Sequence, residues 1–130
     1  MKLCGDIPVE RGEKASRERS LNLMKERIER GDSLLIFPEG TRQTDPEVAI
    51  GTLRDGAFNI AVQTGIPIVV LILQKTHKVC EKGSLFLNLF PLRYSFSSPI
   101  ESKGLTQDKL KTKTLEKMLE LVNSLDRESL

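Results

Sequence analysis

Two uninterrupted apolar runs, at 33–37 and 66–73, limit what this chain can fold into more than any other feature. Each run has the length of a strand and lacks polar alternation, which predicts strands buried on both faces. A stretch with apolar residues at helical spacing precedes each run and ends at a glycine, Gly31 or Gly65, as helices commonly do. Helices that alternate with apolar strands predict an α/β fold, with a mostly parallel central sheet covered by helices.

The remaining periodic segments fit the same architecture. The spacing of apolar residues predicts helices at 14–30, 53–64 and 106–125, the last of them amphipathic. Two more strands are predicted at 84–90 and 94–98, and their alternating pattern places them nearer the edge of the sheet.

Composition excludes several classes of protein. The chain, 1–130, has no repeat or linker, so a single domain is predicted. A net charge of +2 and an aromatic content of 5% without tryptophan argue against a nucleic-acid partner. Cys4 and Cys80 cannot form a disulfide framework or a metal knuckle, which favours a reducing compartment. The run at 66–73 is too short to cross a bilayer, and the N-terminus lacks the apolar run of a signal peptide, so no transmembrane segment is expected.

The string FPEGTR, at 37–42, directly follows the first predicted strand. Open α/β sheets bind ligands beyond the carboxyl ends of their strands, so a ligand crevice is expected here. Gly40 permits close approach of the backbone to a ligand, and amides near it can point at an anion. Arg42 offers donors that match phosphate oxygens, and Glu39 can orient that arginine or accept from a hydroxyl. From residue types alone, a strand-ending turn with a surface ion pair is the favoured interpretation.

The complete pattern resembles the 1-acylglycerol-3-phosphate (lysophosphatidate) acyltransferase family. FPEGTR follows an apolar strand and precedes Gly-Ala-Phe at 56–58 and Gly-Ile-Pro-Ile-Val at 65–69. The family's second motif consists of a glycine, an extended apolar piece and an arginine. Segment 5–11 lies where this motif is expected, although a proline and a glutamate interrupt its apolar piece. The resemblance covers about residues 3–100 in order and spacing, and FPEGTR is its most specific element.

This resemblance implies an enzyme of phospholipid biosynthesis. Such an enzyme transfers a fatty acyl group from a thioester of coenzyme A or acyl carrier protein to the hydroxyl of a lysophospholipid, typically lysophosphatidic acid, with no further cofactor. The residues that the family uses to hold the phosphate of the acceptor correspond here to Arg11, Glu39, Gly40, Thr41 and Arg42. The family's fourth motif, on the acyl-donor side, corresponds to Ile66, Pro67 and Ile68. Arginines and free amides suit a phosphate with nearly two negative charges.

The catalytic base of the family has no counterpart here. A hydroxyl becomes a good nucleophile only as its proton is removed, and the family uses a His-x-x-x-x-Asp motif located before its second motif. Only residues 1–4 precede that segment, so the chain is expected to be N-terminally incomplete, with a true short paralogue as the alternative. His77 has Lys82 at the fifth position, where a carboxylate is required, so it is interpreted as a solvated histidine in a loop at 74–83. No catalytic residue is assigned.

Two other functions stay open at this point. A non-catalytic module would bind the phosphate of a lysolipid through the same arginines. An unrelated α/β phosphate-binding or phosphoester-handling protein would make FPEGTR a coincidence. A metal requirement would be its simplest signature, but the sequence contains no Asp/His cluster to hold a metal. The family resemblance implies a peripheral position on the cytoplasmic side of a membrane, with a lysophospholipid, the acyl donor and the membrane surface as partners. Head group and acyl-chain specificity cannot be derived from the sequence.

Overall fold

The computed structural model describes residues 7, 14–41, 48–79 and 89–127, and the structural statements below concern these residues. Their elements in chain order are α1 (Lys14–Glu29), α2 (Gly56–Thr64), β1 (Leu71–Gln74), α3 (Thr76–Val79), β2 (Arg93–Phe96) and α4 (Gln107–Arg127). The three helices predicted from apolar spacing are confirmed as α1, α2 and α4, each boundary lying within one turn of its expected place.

A glycine follows the C-terminal end of each of the first two helices. α2 ends at Gly65, whose φ of 69° is left-handed and whose N–H donates to the Ala61 carbonyl at 2.8 Å. α1 ends just before Gly31, whose N–H donates to the Ile28 carbonyl at 2.9 Å. Both glycines thus reverse the chain out of a helix and into an extended segment, as predicted.

The one ladder within the described residues is antiparallel. β1 pairs with β2 so that Leu71 lies opposite Phe96, and an isolated antiparallel bridge joins Ile68 to Ile100. The strand predicted at 94–98 is confirmed as β2, and the one predicted at 84–90 lies mostly outside the described residues. The mostly parallel central sheet is not confirmed, because strand direction depends on which segments meet in space rather than on local pattern.

The predicted strand at 33–37 is extended but joins no ladder among the described residues. Leu35 is 74% exposed and Phe37 71% exposed, whereas Leu34 and Ile36 are half-buried. The expectation that this run is buried on both faces is therefore wrong for the described part of the chain. Burial of both faces requires packed elements on both sides of the run, and the described residues pack against one side of it.

The loop predicted at 74–83 is also corrected. β1 continues to Gln74, and the one-turn helix α3 follows it at Thr76–Val79. His77 therefore lies in a short helix rather than in a loop, whereas Cys80 and Lys82 lie outside the described residues. Cys4 lies outside them as well.

The hydrophobic core lies where α2, α4 and β1 meet. α4 buries Leu110, Met118 and Leu125, while Leu115 and Leu119, placed on its buried face by the apolar spacing, are exposed. No helix within these residues is both long enough and apolar enough to cross a bilayer. The buried cluster comprises Leu53, Phe58, Ala61, Val70, Ile72, Leu110, Met118 and Leu125.

A buried serine ties the end of α2 to the segment that precedes α4. Ser102 is fully buried, and its hydroxyl lies 2.9 Å from the Ala61 carbonyl and 2.6 Å from the Ile66 carbonyl. Ser102→Ala should lower the free energy of unfolding by about 1–3 kcal/mol, because buried carbonyls lose a donor. Urea denaturation with an unchanged m-value measures this. Ser124→Ala removes an exposed serine hydroxyl bond and should cost less than about 0.5 kcal/mol, so equal effects would contradict the role of Ser102.

Candidate functional site

The site begins as a tight turn at the end of the extended segment 32–37. Pro38 and Glu39 occupy the two central positions of the turn, and the Gly40 N–H closes it by donating to the Phe37 carbonyl at 3.1 Å. Proline at the first central position presets the backbone angle that such a turn needs. Thr41 follows directly and is exposed. The turn therefore places Thr41 at the surface, while Pro38, Glu39 and Gly40 are half-buried.

A second segment, 50–54, is fastened to this turn by two hydrogen bonds. The Gly51 N–H donates to Oε2 of Glu39 at 2.7 Å, and the Arg54 N–H donates to the Pro38 carbonyl at 2.7 Å. Leu53, between these two donors, is 5% exposed and belongs to the core cluster. Because the segment is held by the core on one side and by the turn on the other, the position of the turn is fixed relative to α2.

Gly40 and Arg54 are in contact across this junction. Gly40 has a φ of +67°, which a residue with a side chain seldom adopts. A Cβ atom at this position would lie 3.0 Å from Nε and 3.3 Å from Cδ of Arg54. The backbone angle therefore favours glycine at position 40, and a side chain there would also displace the flexible side chain of Arg54. The side chain of Arg54 lies over the turn.

The predicted acceptor-site residues fall into two groups. Glu39, Gly40 and Thr41 are consecutive residues of the turn, whereas Arg11 and Arg42 lie outside the described residues. Glu39 has a role that sequence reasoning did not assign: its carboxylate accepts a backbone hydrogen bond and so braces the turn. The convergence of Arg11 and Arg42 on one phosphate stays a prediction.

The residues assigned to the acyl-donor side lie at the other end of α2. Ile66, Pro67 and Ile68 follow the C-terminus of α2, whereas the turn contacts the segment before its N-terminus. A helix of 9 residues is about 13 Å long, so the two groups of residues are separated by that length. Ile66 and Ile68 are half-buried against the core, and Pro67 is exposed. Their role on the acyl-donor side is untested by the geometry.

Sequence reasoning missed Arg54 and Gly51. Both lie in the stretch before α2, and their contact with the turn depends on a fold-back of the chain that no local pattern reveals. The available signal was a cation, Arg54, placed next to the buried Leu53 and just before the helix. Among the described residues, no group of three or more histidine, cysteine, aspartate and glutamate side chains is arranged to hold a metal ion.

Comparison with known proteins identifies the family of the chain. The family described as Acyltransferase matches residues 1–74 of this chain, which include the turn and all of α2. The chain is 34% identical over 121 residues to a chloroplastic 1-acyl-sn-glycerol-3-phosphate acyltransferase of Brassica napus, covering 91% of this chain and 35% of that protein. A 1-acyl-sn-glycerol-3-phosphate acyltransferase of Limnanthes douglasii is 32% identical over 112 residues, 83% of this chain and 38% of the relative.

A third relative extends the comparison to fungi. The 1-acyl-sn-glycerol-3-phosphate acyltransferase of Saccharomyces cerevisiae is 29% identical over 111 residues, 85% of this chain and 37% of the yeast protein. The chain thus spans little more than a third of the length of these three relatives. No solved structure matches the chain significantly.

Proposed function

The chain belongs to the acyltransferase family, and from this premise we propose that it forms part of an enzyme of phospholipid biosynthesis. The enzyme transfers a fatty acyl group from the thioester of acyl-CoA or acyl carrier protein to the hydroxyl of lysophosphatidic acid. The observation that carries the proposal is the braced turn at 37–41, which matches in sequence the family's most specific motif and places Thr41 at the surface. The names of the relatives support lysophosphatidate as the acceptor.

In this proposal the phosphate of the acceptor binds at the turn. Arg42 immediately follows the exposed Thr41, and Arg11 comes from the upstream motif. Guanidinium groups form paired, charge-assisted hydrogen bonds with phosphate oxygens, which fixes the orientation of the acceptor. The acyl donor lies on the side of Ile66, Pro67 and Ile68, with no cofactor beyond the thioester itself.

The chemical step needs a base. The base removes the proton of the acceptor hydroxyl while the oxygen attacks the thioester carbonyl carbon, and collapse of the tetrahedral intermediate releases the thiolate, which takes up a proton. We assign no base in this chain: its one histidine, His77, lies in α3 and has Lys82 at the position where an orienting aspartate is required. The base is expected in a His-x-x-x-x-Asp motif.

The proposal also covers the complete sheet and the position of the protein at a membrane. The mostly parallel sheet remains our proposal for the complete fold, with 33–37 as one of its strands, since this segment is extended and alternates in exposure. The chain is proposed to belong to one domain that lies peripherally on the cytoplasmic side of a membrane. The exposed apolar side chain of Leu89 supports contact with a lipid surface.

A non-catalytic lysolipid-binding module is the second candidate function. The observation that favours it is the turn at 37–41 with its exposed Thr41, which suits phosphate binding without any acyl transfer. This module would bind lysophosphatidic acid through the same turn and arginines, with an affinity that falls with salt, and would transfer no acyl group. Transfer from acyl-CoA by the 130-residue chain would exclude it.

The activity test uses Arg42. In the complete gene product, Arg42→Gln should lower kcat/KM for lysophosphatidic acid by about 10- to 100-fold, because a hydrogen bond between charged groups is lost. Acyl transfer from radiolabelled acyl-CoA measures it. The matched control is Arg127→Gln, which removes the same charge from the exposed end of α4 and should leave the rate within about twofold. Equal rates for the wild type and Arg42→Gln would refute the assignment of Arg42.

A further inference from the structure

Arg54 lies against the candidate site without belonging to its sequence motif. Its Nε and Cδ atoms lie 3.0 and 3.3 Å from the point where a Cβ of Gly40 would stand. Its own N–H donates to the Pro38 carbonyl at 2.7 Å, so the backbone that carries it is fixed to the turn. The guanidinium is therefore held beside the residues that present the FPEGT surface.

The charge of Arg54 is not neutralised within the described residues. No described carboxylate comes within 4.0 Å of its guanidinium, although its sequence neighbour is an aspartate. Asp55 instead binds the Nζ of Lys111 on α4 at 2.7 Å. Glu39, the carboxylate of the turn, accepts from the Gly51 N–H. Both nearby described carboxylates are thus directed to other donors, and Arg54 is exposed and makes no ion pair with a described residue.

We propose that Arg54 binds the phosphate of the acceptor and gives the site its preference for a phosphomonoester. This inference rests on the proposed function and deepens it. A phosphomonoester carries between one and two negative charges near neutral pH, with a second pKa of about 6. A cation at position 54 in addition to Arg42 favours that doubly charged group over a phosphodiester head group, which carries one charge. Arg54 therefore selects lysophosphatidic acid among lysolipids.

A binding experiment on the chain tests this inference. Isothermal titration with a short-chain lysophosphatidic acid, below its micelle concentration, compares the wild type with Arg54→Gln, Arg54→Lys and Arg127→Gln. Arg54→Gln should weaken binding about 10- to 100-fold, since a charge-assisted contact is lost. Arg54→Lys should recover part of the loss, because a lysine keeps the charge but lacks the planar fork. Arg127→Gln should bind lysophosphatidic acid as the wild type does. Arg127 lies at the end of α4, roughly 24 Å along the helix from Lys111, the residue that contacts Asp55 next to Arg54.

Two further readouts separate ligand binding from a structural role. Wild-type affinity should rise between about pH 5 and about pH 8 as the phosphate loses its second proton, and Arg54→Gln should flatten this rise. Affinity for the matching short-chain lysophosphatidylcholine should change less than about threefold in Arg54→Gln. Unfolding midpoints show whether each variant is folded. If Arg54→Gln is destabilised, the test rests instead on the affinity of Arg54→Lys for lysophosphatidic acid, compared with that of the wild type.

Different outcomes would contradict the role of Arg54 and the proposed function. A wild-type chain that binds lysophosphatidic acid no better than the neutral monoacylglycerol overturns both. A wild-type chain that prefers the phosphate, together with a folded Arg54→Gln variant of unchanged affinity and unchanged pH profile, overturns the role of Arg54 alone. A similar loss for both lysolipids would mean that Arg54 supports the turn without selecting the head group, and this also contradicts the inference.

Discussion

In the proposed acyltransferase, Glu39→Ala should lower kcat/KM for lysophosphatidic acid by about 100-fold. The carboxylate of Glu39 accepts from the Gly51 N–H at 2.7 Å, and this bond fastens segment 50–54 to the turn. Without it, both the turn and Arg54 lose a fixed position, and a displacement of about 1 Å in a positioning group costs on the order of 100-fold. Steady-state acyl transfer at varied acceptor concentration measures the effect.

Glu39→Gln is the matched variant for this prediction. Its amide oxygen can still accept from the Gly51 N–H, although a neutral acceptor forms a weaker bond than a carboxylate. It should therefore retain more activity than Glu39→Ala. Hydrogen exchange of the Gly51 amide gives an independent readout: protection should fall in Glu39→Ala and persist in Glu39→Gln. Unchanged protection in Glu39→Ala would show that the brace does not exist in solution.

Phe58→Ala should lower the free energy of unfolding by about 3–5 kcal/mol. Phe58, on α2, is 1% exposed and is among the largest fully buried side chains of the described residues. Its removal leaves a cavity in the cluster that joins α2 to α4 and β1. A loss of this size is a large fraction of the total stability of a domain, about 5–15 kcal/mol, so the denaturation midpoint of the variant should fall markedly.

Leu119→Ala provides the comparison for Phe58→Ala. Leu119 is 44% exposed on α4, so truncation removes little buried surface and should cost less than about 1 kcal/mol. Chemical denaturation monitored by circular dichroism measures both variants. A loss below about 1 kcal/mol for Phe58→Ala would mean that the α2–α4 packing is not the core of the folded chain.

The helices could be predicted from the sequence because their signals are local. Apolar spacing and the glycines at positions 31 and 65 placed α1 and α2, and the amphipathic pattern placed α4. The choice of buried residues on α4 was less accurate. Thr114 is buried and Leu115 is exposed, because packing partners rather than hydropathy decide which side of a wide apolar stripe faces the core.

Long-range pairing could not be read from the same patterns. An apolar run of strand length fits a parallel or an antiparallel neighbour, and the described ladder of β1 with β2 is antiparallel. The run at 33–37 remained extended without a partner among the described residues. Strand direction and pairing depend on which distant segments meet, and no local sequence pattern encodes that choice.

The candidate site also combines features that local sequence signals predict with features that they do not. The FPEGT turn was predicted in place, since Pro38 and Gly40, two positions apart, are local turn signals. Arg54 lies 14 residues beyond Gly40 in the sequence, so its proximity to Gly40 emerged only from the structure. Glu39 was assigned to the substrate, whereas the structure directs one of its oxygens to Gly51.

The most direct test of the account is amide chemical-shift mapping by NMR during titration of the chain with short-chain lysophosphatidic acid, with the corresponding neutral monoacylglycerol as control. The account predicts that the amides of Gly40, Thr41 and Gly51 shift with the phosphate-bearing ligand and stay unchanged with the neutral one. Shifts of equal size with both ligands, or shifts confined to the far end of α4, would contradict a phosphate site at this turn.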